Sequence, residues 1–470
     1  MSKIIKSVIS IFMTIISLIG GLYIYKLGIL PNSYIIGLFI ALIIVNIIGC
    51  ILLFKKGTIS TIISIIIYFI LLIVSITISY YASNTVEYLD TGFSNNIEYT
   101  NYSVIVLKES DYNDINELEN TNMGYLFLDE DNSYLEKIKN EININLNEYD
   151  LFSLYNKLSN KEIDSIVINN GYTDLLEENF NDYSNNTKVI YNYKIENKIT
   201  EVINKEIKLK PFNIYIAGTD SRSNDLESNT KSDVNMIITV NPITKKVLMT
   251  SIPRDYYVQI SGTTGLKDKL THVGIYGTEK SKKTLEELLN IKIDYTIKVG
   301  FQSVIKFVDL VGGIDIYSDT AFTSHCGDGG AKKVKVKVGM NHFNGAEALS
   351  YARERYAYKE GDIHRIKNQQ QVIEAVANKI LSDYSLLLKY DTLLDTLSGL
   401  YLTDMPSKLI TLLIKEQINT MSSFSIEKQN LVGYGGSEQT YSIPGMKLYV
   451  MHPNQESVTT ASNKILEYTN

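Results

Sequence analysis

The first eighty residues are apolar almost without interruption, in three runs at about 4–25, 34–54 and 59–81. Each is close to the roughly 20 residues that a helix needs to cross a bilayer. They are rich in Ile, nearly free of charge, and lack the polar face that a buried helix of a water-soluble protein keeps toward solvent. A cleaved leader accounts for one run but not for a set, and no small-residue cleavage site follows, so residues 1–82 are expected to form three transmembrane helices. Beyond residue 87 short alternating runs take over. Tyr102 to Leu107, Met123 to Leu128 and Ser165 to Ile168 read as strands; helical stretches start at Ile115 and cover Leu151 to Leu158. That order predicts a small α/β accessory domain over 87–208.

Past the link Ile207 to Pro211 the pattern resets. Phe212 to Ala217 is an apolar strand running into Gly218-Thr219-Asp220, and two strands follow around Asn241-Pro242. A helix around 284–289, a strand at 295–299, a helix at 301–310 and a strand at 314–317 continue the alternation. Helices near 386–400 and 408–418 and strand-like pieces near 429–434 and 447–451 complete a second α/β domain, 212–470. The predicted fold class is therefore α/β, membrane-anchored.

Charge adds orientation and removes one class of function. Lys3, Lys6, Lys55 and Lys56 flank one side of the spans, against Lys26 alone on the other, which predicts a cytoplasmic amino terminus and an extracytoplasmic polar part. The formal net charge is -7 with no cationic run in the polar part, a poor match to a nucleic-acid binder. Cys50 lies in a span and Cys326 in a Gly-rich loop, so neither a disulfide nor a zinc site is expected, and His272, His325, His342 and His364 show no zinc spacing.

Candidate chemistry gathers around the hairpin at Asp233. If its strands pair, Asp233 before one and Arg254 after the other return to the same end of the sheet; an ordinary surface ion pair has the same signature. Further along, Arg353 and Arg355 share a side if the chain there is extended. Asp362, Arg365 and Gln369 fall at i, i+3 and i+7 of a helix, on one face. Four arginines without acidic partners would repel unless an anion joined them, and guanidinium forks match phosphate oxygens. The carboxylates Asp220 and Asp233 beside them suit Mg²⁺, completed by phosphate and water. A pyrophosphate is the implied ligand.

The motifs Gly-Thr-Asp-Ser-Arg (218–222), Lys-Ser-Asp-Val-Asn-Met (231–236), Ser-Ile-Pro-Arg-Asp (251–255), Lys-Leu-Thr-His (269–272), Val-Gly-Gly-Ile-Asp (311–315), Ala-Leu-Ser-Tyr-Ala-Arg-Glu-Arg (348–355) and Gly-Asp-Ile-His-Arg-Ile-Lys-Asn-Gln-Gln-Gln (361–371) occur in this order. Over 212–381 the chain thereby resembles the catalytic domain of the LytR-CpsA-Psr cell-wall enzymes, and three spans followed by an accessory domain resemble the capsule-type members. The resemblance implies a central mixed sheet flanked by helices. It also implies Mg²⁺-dependent (or Mn²⁺-dependent) transfer of a glycopolymer, such as a teichoic acid or capsular polysaccharide, from an undecaprenyl-pyrophosphate carrier in the membrane lipid to a peptidoglycan acceptor. Carried onto this chain, Asp220 and Asp233 would seat the metal. Arg254, Arg353, Arg355 and Arg365 would hold the pyrophosphate with Lys269 and Gln369 nearby, and apolar residues of the sheet and of the helix after Gln369 would line a groove for the prenyl tail. Asp362 and Asp255 are the candidates for a base, Asp362 alternatively for orienting Arg365. Lys231, Val234 and Thr271 depart from the family's usual Arg, Thr and Asn. Two other readings remain open at this point: a non-catalytic binder of the polyprenyl-pyrophosphate lipid, and a membrane-bound regulator of transcription.

Overall fold

The computed structural model describes residues 2–92, 97–127, 133–198, 207–219, 226–325, 331–382, 396 and 399–469. Three helices, α1 (Lys3–Leu27), α2 (Asn32–Phe54) and α3 (Thr58–Gly92), open the chain, each with a window long and apolar enough to cross a membrane. They meet through small and polar groups, as helices in lipid do: Asn46 donates to Ser17 Oγ at 2.8 Å, and Gly49 lies against the Tyr68 ring. Gly28 takes the left-handed conformation (φ 66°) that ends α1. The third helix continues beyond the expected end at residue 81, since no Gly or Pro interrupts the polar turn after Tyr81.

The next segment builds a five-stranded sheet from β1 (Ile97–Leu107), β2 (Asn122–Leu126), β3 (Asn145–Tyr149), β4 (Ser165–Asn169) and β5 (Thr187–Lys198), in the order β3-β2-β4-β1-β5. Helices α4 (Ser133–Glu141), α5 (Leu151–Ser159) and α6 (Thr173–Asn179) pack on it. Ile115 to Leu118, expected to begin a helix, form a single 3₁₀ turn capped by Asp114.

The second sheet has six strands and mixed pairing. They are β6 (Phe212–Thr219), β7 (Ser232–Asn241), β8 (Lys246–Ile252), β9 (Tyr295–Gly300), β10 (Tyr401–Thr403) and β11 (Ser425–Asn430), in the order β10-β9-β6-β7-β8-β11. Side chains alternate across it. Tyr215, Ala217, Ile237 and Leu248 face a closed core against α7 (Thr278–Leu289) and α12 (Gln455–Thr469). On the opposite face lie α8 (Phe301–Leu310), α9 (Gly345–Arg353), α10 (Asp362–Ser382) and α11 (Ser407–Thr420). Gly345 lets α9 approach α8 backbone to backbone, because a Cβ there would sit 2.1 Å from the Ile305 carbonyl oxygen. The expected strand at 429–434 breaks at Leu431 into β11 and a hairpin of β12 (Gly433–Gln439) with β13 (Lys447–Pro453), and the closing helix α12 had no counterpart in the sequence reading. The helix expected at 386–400 falls largely outside the described residues.

The two sheets are joined through β1. Tyr99 exchanges backbone hydrogen bonds with Glu227 and Asn229, and the buried Glu98 carboxylate accepts from Lys298 Nζ (3.1 Å) and from the Thr278 amide (2.9 Å). The segment leading into β7 is thereby fixed by the first sheet.

Candidate active site

The β7–β8 hairpin sets the site. Its turn is an Asx turn, the Asn241 side chain accepting from the amides of Ile243 (3.2 Å) and Thr244 (3.0 Å), with Lys245 left-handed at φ 54°. This turn gives the register Asn235↔Ile252, and continuing two positions beyond the ladder puts Asp233 across from Arg254. Arg254 Nη1 donates to Asp233 Oδ1 at 2.7 Å.

Helix α10 brings the second half. Asp362, at its first turn, forms an ion pair with Arg365 Nη2 at 3.0 Å and lies 4.0 Å from Arg254 Nε. What locks α10 against the sheet is Gln370, which went without a role in the sequence reading: its buried amide donates to Ser251 Oγ (3.0 Å) on β8 and Asn430 Oδ1 (2.8 Å) on β11. Its signal was its place beside Gln369, one helical step toward the sheet. At the end of α9, Arg353 lies over the Phe301 ring, 4.2 Å from its centroid, and Arg355 over Tyr356 at 4.6 Å. Both aromatic platforms were missed: Phe301 because only tertiary contact reveals it, Tyr356 although it directly follows Arg355 in the sequence. Between the two arginines Glu354 turns inward and is fully buried, accepting from the amides of His325 and Ala357, so this stretch is not a solvated charge run.

Asp233, Arg254, Arg353, Arg355, Arg365 and Gln369 all border one cavity of about 530 Å³. Below this charged rim its walls are apolar: Ile216, Ile238, Ile297 and Val299 from the sheet, Phe307 from α8, and Val372, Val376 and Ile380 from α10. Gly218 allows Val234 into the wall; a Cβ at 218 would come within 2.6 Å of the Val234 Cβ. Lys269 does not border the cavity. It bonds Asp255 Oδ1 at 2.7 Å, and Asp255 lies 3.9 Å from Arg254 Nε, so Lys269 supports the clamp from behind. Lys231 turns outward to Glu178 (2.8 Å) and Asp174 (3.6 Å) on α6. Asp220 lies outside the described residues. His272 is buried against Asp268 and Ser442, a packed core group.

Two of the arginines, Arg254 and Arg365, thus have acidic partners, contrary to the sequence expectation. Among the described residues, five cations (Arg254, Arg353, Arg355, Arg365, Lys269) still stand against three carboxylates (Asp233, Asp255, Asp362), which leaves a positive excess for an anion. Burial works to raise the Asp233 carboxyl, but Arg254 and then Arg365 outweigh it and hold the group below the usual carboxylate range. Arg254 is pushed down by burial and up, more strongly, by Asp233 and Asp362. Arg365 shows the reverse: burial and the neighbouring Arg254 lower it more than Asp362 and Asp233 raise it. An added anion would relieve that strain. Asp233 keeps one carboxylate oxygen without a hydrogen bond among the described residues, the donor a hard divalent cation takes. The arrangement is a cationic clamp with a carboxylate seat over an apolar trough.

A family model described as the LytR_cpsA_psr family matches residues 176–464. The polyisoprenyl-teichoic acid–peptidoglycan teichoic acid transferase TagU of Bacillus cereus is 36% identical over 185 residues, 39% of this chain and 57% of that protein. Biofilm regulatory protein A of Streptococcus mutans is 35% identical over 198 residues, 40% of this chain and 48% of that protein. The chain spans about half the length of these curated relatives. Among solved structures, TagV of Bacillus subtilis superposes with a TM-score of 0.47 at 28% identity, covering 56% of this chain and 98% of that one.

Proposed function

The chain belongs to the LytR-CpsA-Psr family, and from that premise we propose that it transfers a glycopolymer from an undecaprenyl-pyrophosphate carrier to a hydroxyl of peptidoglycan, at the outer face of the membrane. One observation carries the reading: a clamp of partly buried arginines, two of them paired with carboxylates, stands at the mouth of a cavity whose remaining walls are mostly apolar. A lipid pyrophosphate has that polarity, charge at one end and hydrocarbon behind it. A sugar-nucleotide donor would leave the apolar trough without an occupant.

The residues act mainly by positioning and by charge. Arg254 and Arg365, held at fixed angles by Asp233 and Asp362, offer their remaining N–H groups to the pyrophosphate oxygens; Arg353 and Arg355 close the opposite side from their aromatic rests. A Mg²⁺ ion bound at Asp233, with Asp220, would supply neutralisation of phosphate charge. The acceptor hydroxyl attacks the phosphorus that carries the glycopolymer. An O–P bond forms, the bridging P–O bond breaks, and polyprenyl monophosphate leaves with its negative charge held by the arginines. The hydroxyl proton passes to Asp362 or Asp255, the two carboxylates within 4 Å of Arg254 Nε.

The test is turnover by the full-length protein in detergent, given a polyprenyl-pyrophosphate oligosaccharide and a peptidoglycan fragment. Metal-dependent release of polyprenyl monophosphate, abolished in Asp233→Ala, is the expected result. Tight lipid binding without release, indifferent to metal, would leave a carrier-binding protein instead.

A further inference from the structure

Helix α11 has three flanks, and among the described residues only two are covered. Leu409, Ile410 and Leu413 pack on the sheet beside Ile216, Ile238 and Ile297, residues that also wall the cavity. A second flank meets the loop between the first two spans: Lys415 Nζ reaches Asn32 Oδ1 at 3.3 Å, and Thr411 lies 3.4 Å from where a Cβ on Gly28 would be. The third flank carries Ile414 and Ile418, spaced i and i+4, with Met421 at the left-handed cap just beyond the helix; Ile414 is 38% and Met421 67% exposed. At the same rim Ile243, 69% exposed, tips the β7–β8 turn, which Lys245 ties to Gln417 of α11 at 3.5 Å.

Single exposed apolar side chains need no explanation. A line of them level with a loop that joins two membrane spans is a different matter. That loop must lie at the bilayer surface, and α11 rests directly on it, so the uncovered flank meets lipid head groups rather than bulk water. Lys415 on the neighbouring flank and Lys245 on the turn are the cationic neighbours that let an apolar face sink while charge stays at the surface.

We propose that α11 is an interfacial helix, with Ile414, Ile418 and Met421, together with Ile243, embedded in the outer leaflet beside the spans. Since α11 packs on Ile216, Ile238 and Ile297, which also wall the cavity, the apolar trough runs up to the sheet residues beneath this helix. On the functional reading above, the prenyl tail then passes from the bilayer into the trough without crossing water.

Depth labelling tests the interface independently of catalysis. The full chain, with Cys50→Ser and Cys326→Ser, receives Ile414→Cys, Met421→Cys or Ile243→Cys, or Tyr434→Cys on the β12–β13 hairpin as control. Each is labelled with an environment-sensitive fluorophore and reconstituted in vesicles of phosphatidylglycerol and phosphatidylethanolamine. Embedding by the ~5–10 Å typical of interfacial helices predicts at least about twofold quenching by lipid-borne shallow nitroxides at 414, 421 and 243, and none at 434. Labels at 414 and 421 that stay as unquenched as 434 overturn the proposal. Loss of transfer activity with quenching intact would sink the functional reading and leave the interfacial helix standing.

Discussion

The two sheets of this chain obey the same strand physics and reach opposite ends. In the five-stranded sheet every residue of β4 is buried, with one apolar cluster around Leu154, Tyr155 and Ile166 and another around Val104, Leu118 and Tyr134. In the six-stranded sheet one face is equally closed, but the other is covered only at its end by α11 and is held apart from α8 and α10 by the trough. The first sheet spends its apolar residues on stability. The second leaves Ile216, Ile238, Ile297 and Val299 partly unsatisfied, which is what a lipid-binding surface requires, and it tolerates four arginines at the rim because half-buried carboxylates hold two of them. Closure and chemistry are divided between the sheets.

That division can be broken experimentally. Arg254→Ala should give the largest effect, a loss of about 10²–10³ in turnover, with Arg254→Lys recovering only a fraction because an ammonium cannot replace the fork; rates of polyprenyl monophosphate release decide it. Wild-type turnover in Arg254→Ala would move the chemistry off the open face. Leu154→Ala, in the closed sheet, should cost ~2–5 kcal/mol of stability by leaving a cavity, measurable by denaturant unfolding, with no separate effect on KM. In the trough wall, Ile373→Ala should cost less stability than Leu154→Ala and instead raise KM for long-chain donors more than for short-chain ones.

Acid provides a smaller contrast. The folded Asp233 carboxyl is depressed, so its contribution to stability is present above the unfolded value of about 3.9 and is lost as pH falls through the folded one. Asp233→Asn should therefore flatten the stability profile below about pH 4 and leave the slope above pH 5 unchanged, as followed by melting temperature. The smallest effect belongs to Lys231→Ala, whose outward pairs with Glu178 and Asp174 are worth ~0.2–1 kcal/mol. A large activity loss there would place Lys231 in the clamp after all.

The hairpin was legible because period-two alternation and Asn241-Pro242 jointly determine a register, and register alone sets Asp233 opposite Arg254. The shared face of Asp362, Arg365 and Gln369 followed from helical spacing in the same way. What escaped was whatever depends on a partner distant in sequence. The Asp362–Arg254 proximity, the Gln370 lock across to β11, and the Phe301 rest under Arg353 each join segments separated by tens of residues or more, and no local pattern encodes them. The 3₁₀ turn at Ile115 was misjudged for a related reason: a capping box signals a helix start but not its length.

One feature of the anchor bears on where in the wall such a protein could work. Helix α3 continues to Gly92, and Tyr88 on it hydrogen-bonds Tyr401 of β10 at 2.7 Å, while α11 rests on the loop between the first two spans. Only about 20 of its residues are needed for the hydrocarbon, so roughly 20 Å of helix runs up the flank of the domain as a stiff post rather than a tether. The clamp is held at one altitude above the bilayer. With the domain outside, as proposed, it could serve only glycan strands that come within one molecule's height of the membrane, so attachment would mark the innermost, newest layer of the wall.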